Sequence, residues 1–221
     1  MGAAESAIGS WMGNITPEQI TAIDDICLDN MHIPKDKLSA RSRATFERTR
    51  EAAFESFECK GIYQGFPVER IDGHEIVLCN GTILPSETLA QALAGSIEVV
   101  AFIVVAHGFE ALAFDQKCSS VESMFLSGWG VGFSSGGHRW LEGVVRDRAH
   151  EAGLYMGKSW LPGENNVSMD LQKQLFELIE PERIGIELQD GYTMRPVMSV
   201  GGFIGISDDE AIEEQKTVLM V

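Results

Sequence analysis

The chain has 221 residues, 44% of them hydrophobic, which is enough to bury a sizeable core in one α+β or α/β domain, with two small lobes as the alternative. Its 33 acidic residues against 17 basic ones leave a formal charge of −16, which opposes attraction to a phosphate backbone and sets nucleic acid aside as a partner. The most apolar run, VVAFIVVA at 99–106, is far too short to span a bilayer and suits a buried strand, so no membrane role is expected.

Residues 1–15 are small and Gly-rich and read as a loose arm. Thr16, Pro17 and Gln19 then supply an N-cap, a first-turn proline and a reciprocal capping partner, predicting a helix over about 17–30. The stretch SARSRATFERTREAAFESF predicts a second helix over about 38–58, with Ala44, Phe46, Ala52, Ala53, Phe54 and Phe57 set among charges. The period changes next: IYQGFPVERI and HEIVLC read as two short strands around the turn at Asp72 and Gly73. Asn80 and Gly81 make another turn, Ser86 caps a helix to about 95, and a buried strand fills 98–106. From 109 to 152 the pattern is helical except for GWGVGFSSGG at 128–137. That stretch suits a loop, a helix broken to let backbone approach something, or close helix packing around small residues. Helical sequence resumes near His138 with Trp140, Leu141, Val144 and Val145 as its apolar set. The chain is then extended at 154–160, turns through Pro162 and Gly163, and forms a helix from about 168, capped by Ser168, with Leu171, Leu175, Phe176 and Leu178 inward. Strands at 184–189 and 197–206 complete a mixed or antiparallel sheet, and from Asp208 the tail is acidic, then apolar.

Local chemistry is sparse. Cys27, Cys59, Cys79 and Cys118 are widely spaced without a C-x-x-C pair, which fits reduced, mostly buried thiols of a cytoplasmic protein rather than zinc or a disulfide framework. The N-terminus lacks a basic region followed by an apolar core, as a signal peptide would have. The five histidines are dispersed with no H-E-x-x-H, so no metal site is expected. A G-x-G-x-x-G turn between strand and helix and a G-x-S-x-G elbow are both missing. His107 ends the apolar strand, where it could face a cleft or serve as a hydrogen-bonded rim residue. Glu187 and Asp190 fall on opposite faces of a strand and make no carboxylate pair. The turn at 158–166 carries more. Lys158 could meet a carboxylate, Trp160 could cover a flat or sulfonium-bearing ligand, and the amides around Pro162 and Gly163 could bind polar atoms of adenine or ribose.

Two quoted stretches, LPGENNVSMDLQKQLFELI at 161–179 and IGIELQDGYTMRPVMSVGGFIGI at 184–206, resemble the activation, or reactivation, domain of cobalamin-dependent methionine synthase and its short stand-alone relatives. In that family a Pro-Gly turn feeds a helix, an Ile-Gly strand, an acidic-aromatic turn, a Met-x-Pro step and a Ser-Val strand. ILPSETLAQALAGSIEVVAFIVVAHG at 83–108 and SSGGHRWLE at 134–142 extend the resemblance upstream. It implies an α+β fold with a twisted antiparallel or mixed sheet flanked by helices, divided as an N-terminal arm and helix (1–34), the activation-domain-like body (35–206) and a tail (207–221). It also implies binding of S-adenosylmethionine, whose methyl group passes to a cobalamin held elsewhere, coupled to reduction by a flavodoxin-type donor. No D-x-H-x-x-G cobalamin-ligand motif is present, so the corrinoid would arrive on a partner: a corrinoid-binding protein or cobalamin-dependent methyltransferase. The ligand residues carried over are Lys158, Trp160, Pro162, Gly163, Glu164, Asp190 and Tyr192, with Tyr192 beside the sulfonium. The chain departs from the family at three places: Ser159 stands where the family commonly has Arg three residues before Pro-Gly, Glu164 where it has Tyr, and Gln189 and Asp190 where it has Thr and Glu, with Tyr192 retained. A lysine neutralises a carboxylate without the bidentate fork of arginine. Two roles therefore stay open, S-adenosylmethionine-linked methylation of a partner-bound corrinoid and non-catalytic binding of a corrinoid protein, with an unrelated small ligand as the remaining alternative.

Overall fold

The computed structural model describes residues 5–213. In chain order the elements are β1 (Ser10–Ile15), α1 (Ile23–Asn30), α2 (Ala40–Ser56), β2 (Glu58–Ile71), β3 (Ile76–Leu78), β4 (Ile83–Leu84) and α3 (Glu87–Ala92). They continue as β5 (Glu98–His107), α4 (Phe109–Ala113), α5 (Ser120–Glu151), β6 (Tyr155–Trp160), α6 (Leu171–Ile179), β7 (Glu187–Leu188), β8 (Met194–Arg195) and β9 (Ser199–Ser207). The main sheet runs β4-β3-β2-β5-β9-β6, and β1 lies along the first half of β2; every pairing between described strands is antiparallel. This is the α+β architecture expected, with the sheet antiparallel.

Helices cover both faces of the sheet, which is why β5 has no polar alternation. Val100, Phe102, Val104 and Ala106 point to one core with α1, α2 and α5, while Val99, Ala101, Ile103 and Val105 point to the other with α3 and α6. All eight are fully buried, and each large side chain among them is worth roughly 1.5–3 kcal/mol in apolar surface removed from water. A strand buried on both sides needs an unbroken apolar run.

Several local signals act as read. Thr16 and Gln19 bond to each other as read, the Thr16 amide donating to Gln19 Oε1 at 2.8 Å, while the Gln19 amide donates to Thr16 O at 3.0 Å. They cap only a 3-10 turn, Pro17–Gln19; Ala22 takes φ 55°, and α1 starts afresh at Ile23, so the predicted helix over 17–30 is two pieces. Ser86 Oγ accepts from the Leu89 amide at 3.2 Å, and β2 and β3 pair around the turn at Asp72 and Gly73. Ala44, placed in the apolar set of α2, is exposed, whereas Phe46, Ala53 and Phe57 are buried. Cys27 and Cys59 are buried, and burial pushes both thiols up to about 12; Cys79, by contrast, is exposed.

Three expectations give way to tertiary contacts. First, the loop and broken-helix readings of 128–137 yield to the third, close packing around small residues: α5 runs unbroken there, because the glycines of that stretch sit where other elements come too near for a Cβ. A Cβ at Gly128, Gly132 or Gly136 would meet Cys27, Ile23 or Ile20 along the α1 side, and one at Gly137 would meet Cys59 and Val104 of the sheet. Second, residues 184–189 do not join the main sheet: Pro181–Ile184 is a 3-10 turn, and β7 pairs only with β8. Third, the supposed loose arm is anchored. Ser10–Ile15 pairs with β2 as β1, and the segment before it caps a buried carboxylate, Glu98. Glu98 accepts bonds from Ser6 Oγ, from the Ala7 amide at 3.0 Å and from the Ile8 amide at 3.4 Å. Residues 1–4 of that arm and 214–221 of the tail lie outside the described residues, but Ile212, near the tail's start, is buried against Gly157 and Gly205.

The Glu98 anchor makes a direct prediction. In Glu98→Gln the amide group turns one acceptor into a donor facing other donors, and an unsatisfied buried polar group costs about 1–3 kcal/mol. Urea unfolding should register that loss, and amide exchange at Ala7 and Ile8 should accelerate more than exchange in β5. Equal acceleration in both would place the effect elsewhere.

Candidate functional site

The candidate turn hangs from β6, an edge strand that pairs only with β9. Met156 lies opposite Ile206 and Ser159 opposite Ile204, so two β6 residues, Gly157 and Lys158, face the single Gly205 in a bulge. The extra residue resets the alternation. Met156 and Ser159 both face α5, and Trp160, the next residue, packs on the opposite side with the α6 core.

Lys158 and Trp160 meet: Nζ lies 5.2 Å from the centre of the Trp160 ring. The ammonium thereby takes the ring face proposed for a flat or cationic ligand. Lys158 is half-buried, and among the described residues no carboxylate pairs with it, although acids outnumber bases almost two to one in the chain.

The turn that follows is closed by its own backbone. The Gly163 amide donates to Val167 O at 2.8 Å, Glu164 to Leu161 O at 3.0 Å and Val167 to Glu164 O at 2.8 Å. Gly163 and Glu164 therefore do not offer the free amides expected for adenine or ribose. Pro162 is buried, and Gly163 takes φ 92° with Met169 Sδ 2.6 Å from where a Cβ would stand, so glycine is required there for shape. Asn165 and Asn166 follow with φ 49° and 63°, a left-handed pair that short polar side chains tolerate. The Glu164 side chain is exposed and near enough to His138 of α5 to favour its charged form.

Asp190 and Tyr192 lie elsewhere, at the tip of the β7–β8 ribbon. The Gln189 amide donates to Thr193 O at 2.8 Å and the Tyr192 amide to Gln189 O at 3.1 Å, while Tyr192 takes φ 62° and keeps 36% of its surface exposed. No hydrogen bond or ion pair among the described residues ties this tip to the 158–166 turn. The structure thus unites Lys158, Trp160, Pro162, Gly163 and Glu164 on one strand-turn unit and leaves Asp190 and Tyr192 on another.

Sequence reasoning missed the polar cluster behind the bulge. Ser159 Oγ donates to Glu142 Oε1 at 2.5 Å and lies 3.2 Å from His138 Nε2. The His138 ring stacks on Phe102 at 4.7 Å with 11° between planes. Burial pushes His138 below the ordinary histidine range, with Glu142 pulling it back up, Arg139 pressing it down and Glu164 raising it. One signal was present: His138 and Glu142 stand four apart on a helix, hence on one face. Nothing local shows that Ser159 comes to meet them. His107, meanwhile, is the hydrogen-bonded rim residue, its Nε2 lying 2.8 Å from Ile184 O.

Clefts open away from this turn. One of about 420 Å³ lies outside α5 beside Gln19, Arg139, Trp140 and Asp147, and another of about 520 Å³ lies between α1 and Arg50. No helix among the described residues is long and apolar enough to cross a membrane.

No family model matches the chain, and no curated protein matches its sequence. Among solved structures, one described as the MetH reactivation domain bound to AdoHcy superposes over 92% of this chain and 79% of its own, with a TM-score of 0.68 at 14% identity. At that identity the likeness is one of fold, and the chain has the fold of the MetH reactivation domain, as its 157–206 motifs imply.

Proposed function

We propose that this protein binds S-adenosylmethionine, or its demethylated product, at the β6 turn and serves the methylation or reactivation of a corrinoid carried by a partner protein. The observation that carries the reading is the shared fold with a domain solved with AdoHcy bound, together with Lys158, a half-buried ammonium at that turn without a carboxylate partner among the described residues. Lys158 suits the ligand carboxylate; its withdrawal from Trp160 would free the ring face for the ligand. Glu164 supplies negative charge for the sulfonium, and Pro162 and Gly163 shape the turn. Asp190 and Tyr192 belong to the site only if the β7–β8 ribbon approaches on binding. When bound, S-adenosylmethionine supplies an electrophilic methyl group. The chain's residues hold and orient it, and the electron comes from a flavodoxin-like donor.

Titration calorimetry tests the reading. Lys158→Met and Glu164→Gln should each weaken S-adenosylmethionine binding by about five- to a hundredfold, matching about 1–3 kcal/mol for one charged contact in a partly closed site. Thermal unfolding of both variants should stay close to that of the parent, since neither side chain is buried in the core. Unchanged affinity, or a loss that follows unfolding, removes these residues from the site.

A second reading is favoured by specific features: Trp160 is already covered by Lys158, the Gly163 and Glu164 amides are spent internally, and Ser159 is turned toward α5. On that reading the chain is a corrinoid-protein partner that no longer binds S-adenosylmethionine. Complex formation with a corrinoid protein that is the same with and without S-adenosylmethionine, and no binding by calorimetry, would select it.

A further inference from the structure

The cluster behind the bulge has a definite proton inventory. A serine hydroxyl has one hydrogen, and Ser159 gives it to Glu142 at 2.5 Å. The 3.2 Å contact between Ser159 Oγ and His138 Nε2 must then be donated by the histidine, which sets the neutral ring as the Nε2–H tautomer. Ser159 is 8% exposed, so both bonds are made where water cannot readily replace them. They fasten the second limb of the bulge, one residue after Lys158 and one before Trp160, to α5.

Glu142 Oε1 is the shared acceptor, also standing 3.7 Å from His138 Nε2. A neutral imidazole leaves that oxygen to Ser159. Protonation adds a hydrogen at Nδ1 and leaves the Nε2–H donor in place, but it puts a charge on a ring that is stacked on Phe102 and held out of water, a cost that opening the segment relieves. The groups facing His138 are Glu142 and Arg139 from α5, Glu164 from the turn, and Ser159 and Phe102 from the sheet. The two carboxylates favour the protonated ring, and Arg139 and burial oppose it.

We infer that His138 is a positioning residue: in its neutral form it holds the β6 bulge through Ser159 and so keeps Lys158 and Trp160 in place, and its protonation, which burial against Phe102 opposes, favours opening of that segment. The consequence for ligand binding rests on the proposed site at Lys158 and Trp160; the consequence for the bulge does not. As the pH falls below the ordinary histidine value of about 6.5, the unfolded chain takes the proton before the folded one, so the fold loses stability through that window.

Hydrogen exchange of the ligand-free protein reads the bulge, and calorimetry with S-adenosylhomocysteine reads the site, each at pH about 7.5 and about 5.5. After correction for intrinsic rates, exchange over 155–164 in the parent should rise about tenfold or more at the lower pH. His138→Gln keeps an N–H donor and cannot titrate; it should hold parental protection at both values. His138→Phe keeps a ring against Phe102 but has no donor, and should exchange fast at both. S-adenosylhomocysteine affinity should fall about fivefold or more on acidification in the parent and stay level in His138→Gln. Retention of the parental pH dependence by His138→Gln, or parental protection in His138→Phe, would overturn the inference. A pH-dependent bulge in a parent that binds no S-adenosylhomocysteine would leave the role of His138 in β6 standing and defeat the ligand reading instead.

Discussion

Gly202→Ala should cost about 3 kcal/mol and abolish ligand binding at the β6 turn, the upper end of what overpacking a core costs. Gly202 lies in β9 beside the end of β6, and a Cβ there would stand 2.3 Å from the carbonyl oxygen of Trp160, 3.1 Å from its carbonyl carbon and 2.8 Å from Leu161 Cδ2. The leucine can turn aside, but the backbone of Trp160 cannot move without parting β6 from β9, whose registered pairing ends with Trp160 opposite Phe203. One methyl group should therefore act twice, on stability through the sheet edge and on the site through the strand that presents Lys158 and Trp160. Urea unfolding and calorimetry with S-adenosylmethionine measure the two effects separately. Parental stability would show that the edge yields to a methyl group, and that β6 is less firmly placed than its contacts indicate.

The second large effect belongs to the glycines of α5. Gly137→Val should destabilise by about 3 kcal/mol or prevent folding, because the added atoms enter an interface already in contact. A Cβ at 137 alone would come within 2.6 Å of Cys59 Sγ, 3.0 Å of Val104 Cγ1 and 3.4 Å of Ile15 Cδ1. Those three belong to β2, β5 and β1, adjacent strands whose ladders resist separation. Gly143, six residues on in the same helix, has nothing within 4 Å of its would-be Cβ. There the helix propensity of alanine acts unopposed, and Gly143→Ala should stabilise by up to about 1 kcal/mol. Opposite signs in denaturant unfolding are the expected result. Destabilisation by both changes would mean that the face around Gly143 is more crowded than its surroundings show.

These glycines also mark where local reading stops. Helix propensity at 128–137 is poor, and a stretch of that composition fits a loop equally well until α1 and the sheet are known to press on it. Propensity lost along the helix is offset by the approach of Cys27, Ile23 and Ile20 on one side and Cys59 and Val104 on the other. The same holds for 184–189, where a strand-like sequence pairs only within its own ribbon, with β8, while β6 keeps the edge of the main sheet. For the candidate site, Lys158 and Trp160 could be suspected from their turn, and the structure does bring them together. The spent amides of Gly163 and Glu164 could not be foreseen, since their acceptors depend on how the turn closes.

What the sequence determined by itself are the features completed within a few residues. The Thr16 and Gln19 capping box, the Ser86 cap, the turn at Asp72 and Gly73, the apolar face of α6 and the unbroken apolar run of β5 each carry their hydrogen-bonding or burial pattern locally. The tertiary structure alone decided that β9 lies between β5 and β6, that β6 bulges there, and that Ser159 turns toward His138 and Glu142. The physical reason is register: a strand's side chains change face with every residue, so one extra residue in a pairing between distant segments decides which groups meet.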